Sequence, residues 1–529
     1  MENRKKPSRR DFLKLAGAAS GTSILAACAP TAPGPTTSPA SAVKRGGTLV
    51  IGTAQQIQHL DPNNGGLRNN TNAFRSIFST LTTYDKNGVP VPDLAESLTA
   101  DANGLGWTIK IQSGVKFHNG RELTADDVKF SLDFALNPDN ASTSRAYIEL
   151  IKKVDIVDKQ TIKVNLEQPY GLLPAALHQV YIIDKDNLAN IATKPNGTGP
   201  FSVKEYNVGQ NLELVKFPGY WEKGDDGAAL PYLDAVSIRT LTDTNALYTS
   251  LVTGTVQAFW QMPDQIQIQA SRDANLQLLP SPFKTTHDEW FFQGDVAPFN
   301  DVRARQALLY AWDKEAIVQA GYFGQADPRL NNNIIPPGSW AEDTSIPAIK
   351  RDLAKAKQLF EAAGVKKIKF LGYTITPQFR PISQVMERNL SEIGIQLELE
   401  FMELSAWLVR INAGQNIAWG DGNEGASFAV NISVNPPDPG IAISSWGCNT
   451  HFGSWICLDN LKAAAEKANA ASSIEERKAG FKTYQEVWAK EVPAIITCHR
   501  AFTHGALKTV HGIFDDDGAI NFRRGWKES

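Results

Sequence analysis

A mixed α/β chain of several lobes is predicted, on three observations. Short runs that alternate apolar and polar residues recur between residues 107 and 401. Amphipathic segments with helix-capping residues at their ends stand between them. The chain is also long: 529 residues, 42% apolar and 21% charged, enough at ~150 residues per domain for two to four domains with large cores. A composition near the globular average, with only 4 Cys, excludes a disordered, collagen-like or disulfide-scaffold protein. The net charge of −3 leaves no electrostatic footprint for wrapping nucleic acid.

The first element is an address. Residues 1–27 hold six basic and two acidic side chains, and Ser8-Arg9-Arg10-Asp11-Phe12-Leu13-Lys14 precedes a weakly apolar stretch from Leu15 to Ala27. That stretch is too short for a bilayer, which needs about 20 residues. The Arg9-Arg10 pair with its Phe-Leu-Lys resembles a twin-arginine export signal. Leu25-Ala26-Ala27-Cys28 resembles a bacterial lipobox, in which small residues admit the signal peptidase and the Cys28 thiol takes diacylglycerol. Residues 28–45, rich in Pro, Ala, Ser and Thr, read as a flexible tether. An exported, lipid-anchored protein is expected, on the outer face of the cytoplasmic membrane or in the periplasm.

The strands follow in order: Gly46 to Gly52 between glycines, then Trp107-Thr108-Ile109-Lys110-Ile111, Ile162 to Leu166, Val236 to Arg239, and Ile395 to Phe401 with the cleanest alternation. Thr124-Ala125-Asp126-Asp127 resembles a capping box that opens a helix with Val128, Leu132, Ala135 and Leu136 on one face. Asn300-Asp301 opens another, with Val302, Leu308, Leu309 and Trp312 expected inside and Arg303 and Arg305 outside. Helices from Asp352 to Ala363 and from Pro381 to Ile393 end at Gly364 and Gly394, natural C-caps. With Ile368 to Leu371 between them, residues 368–401 form a βαβ unit and imply a parallel pair. A last amphipathic helix runs from Ser472 to Lys490.

Catalytic patterns are missing. There is no G-x-S-x-G, H-E-x-x-H or G-x-x-x-x-G-K-[ST]. The one G-x-G-x-x-G, at Gly420 to Gly425, holds Asp421 and Glu424, whose charge would repel a pyrophosphate. No enzyme activity and no cofactor are expected. Cys448 and Cys457, in a Gly/Trp-rich loop outside the reducing cytosol, most simply form a disulfide. A metal site with His451 is the alternative, for which no fourth ligand stands at finger-like spacing. Cys498 is the odd cysteine and is expected to be buried. Of 12 Trp, those in Gly-rich loops (Trp419, Trp446) are the least like plain core; such rings can sandwich apolar groups or stack on sugars.

Ordered blocks then carry a resemblance from about residue 46 to 510. They are Gly46-Gly47-Thr48-Leu49 with Leu60-Asp61-Pro62, then Trp107 to Ile111, Gly114 to Gly120 and Leu123 to Val128. Gly197-Thr198-Gly199-Pro200-Phe201, Tyr220-Trp221, Pro298 to Ala307 and Ala354 to Leu359 follow. The chain resembles extracellular solute-binding proteins of the oligopeptide/dipeptide/nickel class (family 5), which serve ABC importers. The resemblance implies a periplasmic-binding-protein-like fold (type II, three-lobed): lobe I from 46–80, 195–284 and 499–529, an inserted lobe II at 81–194, and lobe III at 285–498. It implies a monomer that closes on its ligand between lobes I and III and docks on an ABC permease with separate ATPases.

The ligand contacts it implies are Trp260, Trp290, Phe292, Trp419, Asn435, Asp438 and Trp446. Peptide-binding members often carry an Asp, paired with the peptide ammonium, where Asn435 stands in Asn435-Pro436-Pro437-Asp438-Pro439; Gln257 likewise stands where Asp is common. An amide there removes a charge-assisted hydrogen bond. A peptide is the expected ligand, with an oligosaccharide or other neutral ligand as the alternative. Nickel or haem, through His59, His118 or His451, an exported hydrolase of this fold, and a signalling receptor are the remoter readings.

Overall fold

The computed structural model describes residues 43–64, 68–412, 427–434, 436–444, 446, 456–514 and 520–528. Lys44–Ser529 form one compact unit. Arg9, Arg10, Cys28, Trp419, Asn435, Cys448 and His451 lie outside the described residues.

Three sheets organise the unit, each with its own hydrophobic cluster. In the first, Thr48–Thr53 lies at the centre, parallel to Ala235–Thr240 on one side and Ala258–Trp260 on the other. Asn211–Lys216 and Phe201–Asn207 extend one flank; Thr503–Leu507 and Leu276–Pro280 extend the other, all antiparallel. Gly52 is glycine for a reason of space: a Cβ there would meet Leu247 Cδ1 at 2.0 Å, where helix Thr244–Val252 packs on the sheet.

The second sheet, in the order Ala95–Ala100, Gly106–Ile111, Thr161–Leu166, Ile151–Asp158, is wholly antiparallel. Helix Ala125–Leu136 starts at the expected capping box. Asp127 accepts the Thr124 backbone N–H at 2.9 Å and its hydroxyl at 3.1 Å, and also takes a bidentate contact from Arg121. Val128, Leu132 and Ala135 are fully buried beneath it.

The third sheet runs Asp327–Pro328, Ala494–Arg500, Thr286–Phe292, Ser427–Val434, Lys367–Tyr373, Gln396–Met402. The predicted βαβ unit is present: the last two strands pair in parallel through helix Phe379–Ser391, and Gly364 and Gly394 take positive φ at the helix ends. Helix Val302–Ala311 begins at Asp301, whose carboxylate accepts the Arg303 N–H at 2.8 Å. Arg305 departs from expectation. It is 3% exposed and donates to the carbonyls of Phe299, Glu491 and Val492. The end of helix Ile474–Glu491 leaves carbonyls without intrahelical partners, and a buried guanidinium satisfies them.

Candidate functional site

Two crossings join the first and third sheets. One leaves Leu276–Pro280 and enters strand Thr286–Phe292; the other leaves Ala494–Arg500 and enters Thr503–Leu507. The Ser281 N–H donates to the Phe502 carbonyl at 2.7 Å, which ties the crossings side by side. At the edge of the third sheet nearest them, Thr286 pairs with Arg500 on one side and Val434 on the other.

Strand Thr286–Phe292 is buried along its whole length, yet its second to fourth residues are His287-Asp288-Glu289. Alternation sends these charges to opposite faces. On one face both Asp288 carboxylate oxygens lie 2.7 Å from the Tyr322 hydroxyl, and Cys498 Sγ lies 3.8 Å away. The Arg500 guanidinium rests over the Tyr322 ring at 4.8 Å. Asp264 reaches the same group from the first-sheet side, and the Gln325 amide donates to its carbonyl at 3.1 Å. Burial raises the carboxyls of Asp264 and Asp288 above their ordinary range, with Arg500 pulling the other way.

On the other face Glu289 accepts from Asn431 at 3.2 Å and from Ser433, and its second oxygen stands 3.4 Å from His287 Nε2. The His287 and His499 rings are 5.0 Å apart, and burial holds His499 well below the usual imidazole range.

The first-sheet side contributes Trp260, 1% exposed at the end of its strand, and Gln261, a non-glycine residue at φ +55° whose N–H donates to His504 Nδ1 at 3.1 Å. A residue held in this sparsely populated region marks an over-determined site. Several buried polar atoms at this seam have no hydrogen-bond partner among the described residues: Trp260 Nε1, Gln261 Nε2, Thr286 Oγ1, His287 Nδ1 and Arg500 Nε. A buried group left unsatisfied costs about 1–3 kcal/mol, so these atoms are the polar groups at the seam that a ligand or water could engage.

The strands diverge at the same place. Lys367–Tyr373 pairs with Ser427–Val434 only from Ser427 to Ala429, while Thr286–Phe292 follows the other edge to Val434. Beyond Ala429 the two strands part in a wedge, and among the described residues no strand pairs with that edge of Ser427–Val434; Tyr373, whose hydroxyl burial pushes up to about 12, ends the diverging strand.

Of the sequence-predicted contacts, Trp260 reaches the seam. Trp290 and Phe292 do not: they are packing residues. Trp290 is fully buried, donates to Thr497 Oγ1 at 3.1 Å, and stacks among Trp312, Phe370 and Phe379. Phe292 packs on Phe299 at 4.8 Å. Asp438 stands apart from the seam as well. Its carboxylate, fully buried, is spent on Arg477 at 2.7 and 2.8 Å and on the Gly440 N–H at 2.8 Å. Trp446 stands edge-on to Trp488 at 5.0 Å and lines a separate cavity of about 330 Å³ with Tyr147, Glu149, Lys462 and Glu466.

Cys498 is free and buried; Cys457 is disulfide-bonded, and its expected partner lies outside the described residues. His118 serves the backbone, contacting the Gly199 carbonyl at 3.1 Å, and burial lowers it to about 4. Among the described residues no group of three metal-ligating side chains converges, and no helix is long and apolar enough to cross a membrane. Sequence reasoning missed Arg500, Asp288 and Glu289. The available signal was three successive ionisable residues set directly against Trp290-Phe291-Phe292.

Comparison with known proteins adds the family. The family described as bacterial extracellular solute-binding proteins, family 5 Middle, matches residues 89–453. The glutathione-binding protein GsiB of Salmonella typhi is 28% identical over 477 residues, covering 84% of this chain and 88% of that protein. The dipeptide-binding protein of Escherichia coli (strain K12) is 26% identical over 501 residues, covering 83% and 89%. Among solved structures, the periplasmic binding protein DppA from Helicobacter pylori in complex with the peptide STSA superposes with a TM-score of 0.76 at 23% identity, covering 92% of this chain and 99% of that one.

Proposed function

The chain belongs to family 5 of the bacterial extracellular solute-binding proteins, and from that premise we propose that it captures a short peptide for an ABC importer. The peptide lies between the first-sheet and third-sheet bodies, which close on it about the paired crossings and present it to a membrane permease with separate ATPases. Closure draws on the ligand's higher affinity for the closed state. The wedge at Val430–Val434 carries this reading: an extended backbone can add there as a strand, its main chain supplying affinity and its side chains specificity. Relatives named for glutathione and for dipeptides support a peptidic ligand. The chain works by binding, as a monomer.

Residues 46–80, 195–284 and 499–529 serve as lobe I, 81–194 as lobe II and 285–498 as lobe III. The twin-arginine signal exports the folded protein, Cys28 anchors it by lipid, and Cys448 bridges Cys457.

Mass spectrometry of the full-length protein expressed in a bacterium tests these assignments together. Under native conditions it is expected to release a distributed set of masses matching short peptides. One discrete loss at a hexose-oligomer mass would overturn the peptide assignment. The denatured chain is expected to begin at a diacylglyceryl Cys28 and to resist alkylation at Cys448 and Cys457 until reduced; an unprocessed start, or two free thiols, would remove the anchor or the bridge.

A further inference from the structure

A cavity of about 420 Å³ opens beside one of the two crossings, and none of its lining residues belongs to the wedge. The crossing supplies residues 282–285, the third body supplies 336–340 with Pro437, and the turn at 86–89 closes the remaining side. That turn belongs with the second body, since Tyr84 at its foot lies in the second hydrophobic cluster. The turn is fitted to its neighbours: Gly88 takes φ +79°, and a Cβ on it would meet Pro437 at 3.0 Å and Phe283 at 3.3 Å.

The walls are stiff and apolar. Pro282, Pro336, Pro337 and Pro437 stand with the rings of Phe283 and Trp340, and proline offers one φ and no N–H. Such preformed walls lower the ordering cost of binding, and the volume falls in the range of roughly 300–1,000 Å³ usual for small-ligand sites. The charge at the walls has one sign. Lys86 and Lys284 line the cavity and no carboxylate does.

Nearby carboxylates are engaged elsewhere. Asp85 accepts the N–H groups of Asn87 and Val89, each at 2.9 Å. Glu342 holds Arg329 and the Gly338 N–H, both at 2.8 Å, and Asp438 is held by Arg477. Lys284 has an exposed ion pair with Asp327, whereas no carboxylate among the described residues pairs with Lys86. Two further features add to the positive character. The Trp340 Nε1 is buried without a partner among the described residues, and the Arg477 guanidinium lies over the Trp340 ring at 5.3 Å.

We propose that this cavity is a second ligand site, separate from the wedge, that takes a small aromatic carboxylic acid. The ring packs among the prolines, Phe283 and Trp340, and the carboxylate meets Lys86 and Lys284. An acid seated there touches a crossing and the bodies on both sides of it, so its affinity depends on how the crossing is set. The site does not depend on the peptide reading.

Calorimetric titration of the full-length protein at low ionic strength, with hydrogen–deuterium exchange to place the ligand, tests it using 4-phenylbutyrate, its neutral amide and acetate. The acid is expected to bind at least about fivefold tighter than the amide, the order of one partly exposed charge pair, and acetate to give no binding. Exchange should slow at 86–89 and 338–342 and stay unchanged at 430–434. In Lys86→Gln/Lys284→Gln the acid should fall to the level of the amide, with the amide changed less than twofold. Both lysines are exposed, so the unliganded variant should melt near the wild type. Lys86→Gln alone, which leaves the Lys284–Asp327 pair intact, should lose part of the preference.

No binding of the acid, equal binding of acid and amide, acetate binding as well as the acid, or equal weakening of acid and amide by the lysine variants overturns the proposal. So does slowed exchange confined to 430–434, which would put the acid in the wedge. The peptide reading fails separately: trialanine inert, with 4-phenylbutyrate still protecting 86–89 and 338–342, would sink the peptide and keep this site.

Discussion

Asp438 and Arg477 form a buried ion pair, each no more than 3% exposed, with the guanidinium also lying over the rings of Trp340 and Phe481 at 5.3 and 5.4 Å. Removing one partner strands the other charge in a low-dielectric interior, a change worth about 3–5 kcal/mol. Arg477→Met is therefore expected to lower the unfolding free energy by that order, read as a lower urea midpoint at unchanged slope, while leaving ligand affinity within about twofold in the fraction that folds. A variant of wild-type stability with lost affinity would return Asp438 to the ligand site.

Residue identity made this hard to read. An Asp in a proline-rich loop looks the same whether it waits for a ligand or for an arginine 39 positions away. Trp290 misleads for a related reason. Its indole has one donor, and Thr497 on the neighbouring strand satisfies it from 207 residues away. The expectations for Cys28 and the Arg9-Arg10 pair rest on local patterns alone and draw on no fold.

At the scale of elements, whatever had a period could be read. The amphipathic helices, their caps and the βαβ unit at 368–401 follow from spacing, and their ends fall within a few residues of expectation. Strands buried on both faces have no alternation to detect, and Thr286–Phe292, which organises the seam, is one of these. Thr503–Leu507 was equally hidden: Gly505 sits in it because a Cβ would meet Met262 Cε at 2.0 Å, a constraint from a remote segment.

Helix Lys314–Tyr322 starts with a buried lysine whose ammonium donates to the carbonyls of Arg329 at 2.6 Å and Ile496 at 2.9 Å, pinning the helix to the sheet. Burial lowers this group to about 7 despite those acceptors. An unfolded lysine keeps its proton up to about pH 10.4. Between those values the unfolded chain binds a proton that the folded chain has released, so this group's contribution to stability rises with pH across the window. Wild type is expected to gain on Lys314→Met between pH 7 and 9, at a slope of up to about 1.4 kcal/mol per pH unit. Denaturation curves that stay parallel over that range would show that the carbonyls hold the proton against burial.

The whole molecule is three sheet-centred bodies tied at defined places. Two crossings, bonded through Ser281 and Phe502, join the first and third. The second touches the third where the Leu172 N–H meets the Asn469 carbonyl at 3.0 Å. A Cβ on Gly171 would strike the Ala471 carbonyl oxygen at 1.7 Å, so that approach is open only to glycine. None of these meetings has a local signature. The ordered motif blocks identified the family from sequence; the candidate site, assembled from residues 260, 286–289, 322, 430–434 and 500, showed in advance only at Trp260.

The central claim is the location of the ligand, and hydrogen–deuterium exchange of the full-length protein with and without saturating trialanine tests it most directly. Slowed exchange is predicted at 430–434, along 281–290 and at 498–504, where the wedge and the two crossings lie. Slowing confined to 146–170 and 459–470, around the cavity that Trp446 lines, would contradict the account and move the site to the contact between the second and third bodies.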